Sequence, residues 1–178
     1  GANALNNLIA NLTGSATYYV RLRPNSGTAH TILGDVTVTQ GKLEKETNDH
    51  TLTINGDVSV GDNGTLGHAD KTGNDTFGSL TIADGGTCIA SKGTTTITSE
   101  GDGSSGTNGY ALMATTGAIF THNGGTVSID TDATTVIYIQ SATNTFNDLI
   151  INNNGNRTQW DGTLTILGDL TVNASDTF

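Results

Sequence analysis

Apolar and hydroxyl-bearing residues alternate along this chain in short bursts, and each burst ends in glycine, asparagine or aspartate. The clearest burst is nearly repeated three times, as Thr31-Ile32-Leu33-Gly34-Asp35-Val36-Thr37-Val38, Thr53-Ile54-Asn55-Gly56-Asp57-Val58-Ser59-Val60 and Thr165-Ile166-Leu167-Gly168-Asp169-Leu170-Thr171-Val172. Apolar, hydroxyl, apolar is the period-two signature of a strand with one buried face. The Gly-Asp inside each copy marks a bend between two strands. The first two copies stand 22 residues apart, and a period of that size is the mark of a solenoid.

Further strands are predicted over 18–22, 94–98, 118–121, 126–129 and 135–139, parted by turns such as Asp84-Gly85-Gly86 and Asn123-Gly124-Gly125. In the last of these strands Val136 and Tyr138 face one way, Ile137 and Ile139 the other. A longer repeat joins the two ends of the chain. Leu5-Asn6-Asn7-Leu8-Ile9-Ala10-Asn11 aligns with Phe146-Asn147-Asp148-Leu149-Ile150-Ile151-Asn152, and the match continues through Gly14 with Gly155, Thr17 with Thr158 and Tyr19 with Trp160. In the first copy an extra loop over 21–27 carries the only proline, Pro24. A third relative, Phe77-Gly78-Ser79-Leu80-Thr81-Ile82, suggests a coil that begins with an aromatic corner.

These patterns predict an all-β chain, a single-stranded parallel β-helix (β-solenoid) of roughly eight coils with loops emerging from the turns. Residues 1–178 read as one domain, since no linker or shift in composition divides them. At a strand spacing of about 4.8 Å, eight coils make a rod of roughly 40 Å. Each coil is expected to stack Val, Ile and Leu on like residues, with glycine and asparagine at corners that need positive φ. The terminal coils leave rows of unpaired backbone groups, so self-association or other proteins are expected at the solenoid ends. The chain opens on Gly1, which reads as a processed product or a piece of a longer repetitive protein.

Composition supports the fold and narrows the partners. One proline, 24 glycines and few helix-favouring tracts leave turn chemistry dominant. Seven basic against seventeen acidic residues give a formal charge of −10, which opposes nucleic acid and anionic lipid and favours solubility. No apolar run is long enough for a membrane span, so no membrane insertion is expected. The single cysteine, Cys88, rules out an intrachain disulfide and sits in a strand-like setting that suits an inert buried thiol.

Candidate chemistry is sparse. Asp35, Asp57 and Asp169 recur and invite a metal reading, but an aspartate after glycine at a bend ordinarily accepts local backbone hydrogen bonds. Asp102 and the run Asp62-Asn63-Gly64 offer too few oxygens for calcium. His30, His50, His68 and His122 lack zinc spacing, although His30 and His50 precede equivalent phrases and are expected to be neighbours on successive coils. The acid pairs Glu100 with Asp102 and Asp130 with Asp132 are the local candidates for sugar hydrolysis. The run Thr94-Thr95-Thr96-Ile97-Thr98 raises an ice-binding face, and Tyr18, Tyr19, Tyr110, Tyr138 and Trp160 a sugar-stacking platform; strand surface, corners and caps account for them more simply. No catalytic, cofactor-binding or metal residue is assigned, and no cofactor is implied.

The phrases Gly78-Ser79-Leu80-Thr81-Ile82-Ala83-Asp84-Gly85-Gly86-Thr87, Gly93-Thr94-Thr95-Thr96-Ile97-Thr98-Ser99-Glu100, Gly109-Tyr110-Ala111-Leu112 and Phe120-Thr121-His122-Asn123-Gly124-Gly125-Thr126-Val127 resemble the repeats of large structural proteins of marine tailed bacteriophages. Bacterial adhesins and autotransporter passengers share the style. The resemblance implies a virion fibre, spike or capsid decoration, non-enzymatic, located on the virion and contacting host surface glycan. The alternatives are an extracellular bacterial adhesin or filament subunit at the cell surface, and a polysaccharide-degrading β-helix of the tailspike kind.

Overall fold

The computed structural model describes residues 5–13, 18–23, 29–46, 50–67, 70–101, 109–140 and 143–177. The described strands, in chain order, begin with β1 (Leu8–Asn11), β2 (Tyr19–Leu22), β3 (His30–Ile32), β4 (Val36–Lys45), β5 (Leu52–Ile54) and β6 (Val58–Val60). They continue with β7 (Gly64–Gly67), β8 (Asp75–Phe77), β9 (Leu80–Ile82), β10 (Thr87–Ile89), β11 (Thr94–Ile97) and β12 (Tyr110–Ala114). The rest are β13 (Ile119–Thr121), β14 (Thr126–Ile129), β15 (Thr135–Ile139), β16 (Asp148–Ile151), β17 (Thr158–Gly162) and β18 (Leu170–Val172).

Among the described residues every strand pairing is parallel, and the chain winds as a β-solenoid with three faces. The first face runs β3-β5-β8-β11-β14-β16-β18, the second β1-β4-β6-β9-β12-β15-β17 and the third β2-β4-β7-β10-β13. Strand β4 serves two faces by bending at Gly41, whose φ of 79° is left-handed. A Cβ at Gly41 would also collide with Leu12 and the Tyr18 carbonyl, so glycine is required there twice over.

Seven strands on the first face make about six turns, fewer than the roughly eight expected, and six intervals give a shaft of roughly 29 Å. The reason is unequal coils. Val36, Val58 and Leu80 follow one another at 22 residues, but Leu8 to Val36 takes 28 and Leu80 to Leu112 takes 32. Among the described residues the longer coils add no rung to the stack.

Alternation drives like onto like inside. Val36, Val58, Leu80, Leu112 and Ile137 form one column, and Ile32, Ile54, Phe77, Ile97, Ile129 and Ile151 another, all buried. The third face adds Leu43, Leu66, Cys88 and Phe120. The predicted strands at 126–129 and 135–139 match β14 and β15; those at 18–22, 94–98 and 118–121 are each one residue shorter. Ile137 and Ile139 are fully buried and Val136 and Tyr138 half-buried, as the alternation required.

The end-to-end repeat is real in three dimensions but turned by one face. Leu5 bridges Ile32 and β1 pairs with β4 on the second face, whereas Phe146 bridges Ile166 and β16 pairs with β18 on the first. The third Gly-Asp copy therefore rounds a different corner from the first two. Both Phe77 and Phe146 point into the core just before their corners, and Phe146 packs on Phe120 and Trp160 with ring centroids 5.5 and 6.4 Å apart. Pro24 and the rest of 24–28 lie outside the described residues.

Because Val58 is fully buried between Val36 and Leu80, Val58→Asp should cost more than about 4 kcal/mol by burying an unpaired charge. Thr53→Lys, pointing outward on β5, should cost less than about 1 kcal/mol. Urea unfolding of both variants measures the difference, and equal losses would reverse the inward assignment.

Candidate functional site

The Gly-Asp corners are where backbone and side-chain chemistry meet. At the first copy, Asp35 N–H donates to Oδ1 of Asn7 at 2.9 Å, and at the second Asp57 N–H donates to Oδ1 of Asp35 at 3.0 Å. Ser79 Oγ then donates to Oδ1 of Asp57 at 2.8 Å. At the far end Asp169 N–H donates to Oδ1 of Asp148 at 2.9 Å. The expected acceptor role is present at Asp35 and Asp57, with the donor one coil on, 22 residues away; at Asp169 the N–H donates and the acceptor is Asp148. Each carboxylate pins the next coil.

The glycine before each aspartate follows from the same contact. A Cβ at Gly34, Gly56 or Gly168 would overlap Oδ1 of Asn7, Asp35 or Asp148. None of these three glycines has positive φ, so close approach, rather than the left-handed backbone expected of corner glycines, demands them here. Positive φ falls instead at other turns, including Asn63, Gly85, Asn123, Gly124, Asn154 and Gly155.

The ladder Asp35, Asp57 and Ser79 forms one wall of a cleft on the second face, with a volume of about 470 Å³. Its floor is the outward rank Thr37, Ser59, Thr81 and Met113, in register on β4, β6, β9 and β12. Tyr110 and Gly101 close it where the 32-residue coil leaves and returns. The neck of that excursion is tied by Gly101 N–H donating to the Tyr110 carbonyl at 3.0 Å and Gly109 N–H to Oε2 of Glu100 at 3.1 Å. Tyr138 on the next rung packs against Tyr110 with centroids 5.6 Å apart. The cleft thus has a hydroxyl and carboxylate half and an aromatic and thioether half.

The other sequence candidates lie elsewhere. Glu100 is committed to the neck, while Asp102 is outside the described residues. Oδ1 of Asp130 and of Asp132 accept from the side-chain amides of Asn152 and Asn154, one coil on. Asp62 occupies the space beside Gly85. Among the described residues no three His, Cys, Asp or Glu side chains gather to hold a metal. His50 lies close enough to His30 to act with burial in lowering its pKa, burial having the larger effect; the two are neighbours as expected. His122 Nδ1 accepts from Gly124 N–H, and His68 is outside the described residues. Tyr19 lies under the Arg21 guanidinium at 4.5 Å and Trp160 against Phe146, so only Tyr110 and Tyr138 come together as a platform. The threonine tract does form ranks, Thr31, Thr53, Thr76 and Thr96 being in register on the first face. Cys88 is buried and its thiol is pushed up to about 12, by desolvation and then by Asp75, which leaves it protonated and unreactive.

A buried ion pair went unread in the sequence. Lys45, at the end of β4, places Nζ 2.6 Å from Oδ1 of Asp75 and donates also to the His50 carbonyl at 2.9 Å. Asp75 accepts in addition from Leu52 N–H at 3.2 Å. Burial raises the Asp75 pKa, and Lys45 opposes the rise. On the same strand Glu44 takes Arg21 at 2.6 Å and Lys42 at 2.9 Å; burial pulls its pKa up, but these hydrogen bonds outweigh it and hold the carboxyl below its ordinary value. No helix of the described residues is long and apolar enough to cross a membrane.

Two substitutions test these contacts. Asp57→Asn keeps an Oδ1 for Ser79, as Asn7 does for Asp35, and should leave stability within about 0.5 kcal/mol, whereas Asp57→Ala strands the buried Ser79 hydroxyl and should cost about 1–3 kcal/mol. Lys45→Met should cost about 3–5 kcal/mol at pH 7 by leaving a buried carboxylate unpaired. Without Lys45 the Asp75 pKa rises further above 3.8, so the penalty is absent below that value and grows as pH rises through the folded-state pKa. Melting temperatures of variant and parent should therefore converge in acid and part towards neutrality.

Comparison of the chain with protein-family models, with curated proteins and with solved structures finds no match.

Proposed function

We propose that this chain is a non-enzymatic structural segment of a virion, a rigid β-solenoid rod serving in a fibre, spike or capsid decoration. The observation that carries the rod is the ladder of corner carboxylates running on top of an in-register core. Backbone rungs hold neighbouring coils together along the faces, and the side chains hold them at the corners as well, where a solenoid would otherwise splay. Such a shaft resists bending and needs no other chemistry to be useful. Its assignment to a virion rests on the resemblance of the phrases from Gly78 to Val127 to phage structural repeats.

The polysaccharide-degrading alternative has one observation in its favour, because Asp35 and Asp57 stand on adjacent rungs of an open cleft. Against it, both carboxylates already hold structural hydrogen bonds at Oδ1, which commits one oxygen of each to the stack.

Mass spectrometry of purified particles from the source should find peptides of this chain at structural copy number. Their absence from particles, with recovery from cell envelopes instead, would replace the virion reading by the adhesin one. Release of reducing ends from polysaccharide by the purified chain, abolished in Asp57→Asn, would replace it by the enzyme.

A further inference from the structure

We infer that the cleft on the second face is a binding site for an uncharged saccharide. The inference concerns the cleft alone and holds whether or not the rod belongs to a particle. Four properties of the lining lead to it. The volume of about 470 Å³ falls within the roughly 300–1,000 Å³ of small-molecule sites. The polar half presents two carboxylates and three hydroxyls, from Asp35, Asp57, Thr37, Ser59 and Thr81, with the buried Ser79 hydroxyl committed to Asp57 behind them. Carboxylates only accept hydrogen bonds and hydroxyls both donate and accept, the complement of a ligand rich in hydroxyl groups.

The ladder itself leaves capacity for a ligand. Asp35 and Asp57 each spend Oδ1 on the coil above, and among the described residues Oδ2 of neither has a partner. Two such oxygens recur at the rung spacing of about 4.8 Å, close to the length of one pyranose unit, so consecutive sugars meet equivalent acceptors. The opposite half supplies what the apolar C–H face of a sugar ring needs, Tyr110 beside Met113, with Tyr110 held by Tyr138. An aromatic body with a polar tip suits such a mixed surface.

The same lining argues against other ligands. Among the described residues no lysine or arginine borders the cleft, so phosphate, sialic acid and nucleic acid would meet two carboxylates and none of the described cations. Two carboxylates fall short of the six to eight oxygens that calcium takes. Wholly apolar ligands would strand the acid wall.

The full chain should be titrated with cellohexaose, maltohexaose, laminarihexaose, chitohexaose, mannohexaose and xylohexaose, followed by saturation-transfer NMR and calorimetry, with sialyllactose and calcium chloride in parallel. At least one neutral hexasaccharide should saturate the protein. Its dissociation constant should rise at least about tenfold in Asp35→Asn/Asp57→Asn, which keeps the ladder acceptors, and in Thr81→Lys, which fills the floor from an outward position. Thr53→Lys, on another face, should bind as the parent does, and circular dichroism melts confirm that all variants fold. The proposal fails if no neutral saccharide saturates, if only sialyllactose or calcium binds, or if the cleft variants bind as tightly as the parent.

Discussion

Parallel pairing at one fixed spacing is the constraint from which this molecule follows. Successive coils must lie about 4.8 Å apart to share backbone hydrogen bonds, so every residue sits directly on its counterpart in the coil below. Inward, this places Val36 on Val58 and Leu80 on Leu112, columns of similar shape that exclude water. At the corners it brings Gly56 so close to the Asp35 carboxylate that no Cβ fits. The Gly-Asp phrase is thus one statement about stacking, glycine for the approach and aspartate for the hydrogen bond that the approach makes available.

The longest coil keeps that spacing at its strands, and the residues that flank its insertion, Gly101 and Tyr110, border the cleft. The coil from Leu80 to Leu112 uses ten residues beyond the ordinary 22, and Glu100 and Tyr110 pin its neck without shifting β12 out of register with β9. The irregularity falls instead one rung later, between Tyr110 and Leu112 against β15. A solenoid tolerates such insertions because the rungs above and below still pair. The first face is the more regular one, its pairings among the described residues carrying no register shift.

Much of this was legible along the chain because period-two alternation reports burial directly. Val36 and Val58 declared their orientation, Ile137 and Ile139 declared only that they oppose Val136 and Tyr138, and the 22-residue offset declared the coil. What stayed hidden was phase. Alternation says that a strand has an inner side but not which of three faces it joins, so the third Gly-Asp copy, on the first face, looked identical to two copies that enter the second. Coil count failed for a related reason, since residues in an excursion are indistinguishable from those in a rung until pairing is known. Lys45 was missed because a lysine flanked by Glu44 and Glu46 reads as solvated surface. Its partner Asp75 is thirty residues away in a coil-to-coil relation that no local pattern reveals. The cleft was dispersed in the same way, its wall and floor drawn from four successive coils.

The corner carboxylates also settle how a scaffold acquires a surface chemistry without weakening itself. An aspartate has two oxygens, and stacking requires only one. Asn7 shows this within the chain, since its single amide oxygen holds Asp35 as well as Asp35 holds Asp57. Wherever the corner carries asparagine, the surface is neutral; wherever it carries aspartate, an extra acceptor and a charge appear with the backbone unchanged. At Ser79 the donor to the earlier carboxylate is a side-chain hydroxyl in place of a backbone N–H, the direction being kept. The run Asn7, Asp35, Asp57, Ser79 is therefore one structural device in three chemical states. Of the corner residues Asn7, Asp35, Asp57 and Asp169, only Asp35 and Asp57 line the cleft that Gly101 and Tyr110 border. Stability constrains the corner to an oxygen in the right place, and the remaining atoms of that side chain are free to be chosen by what the cleft holds.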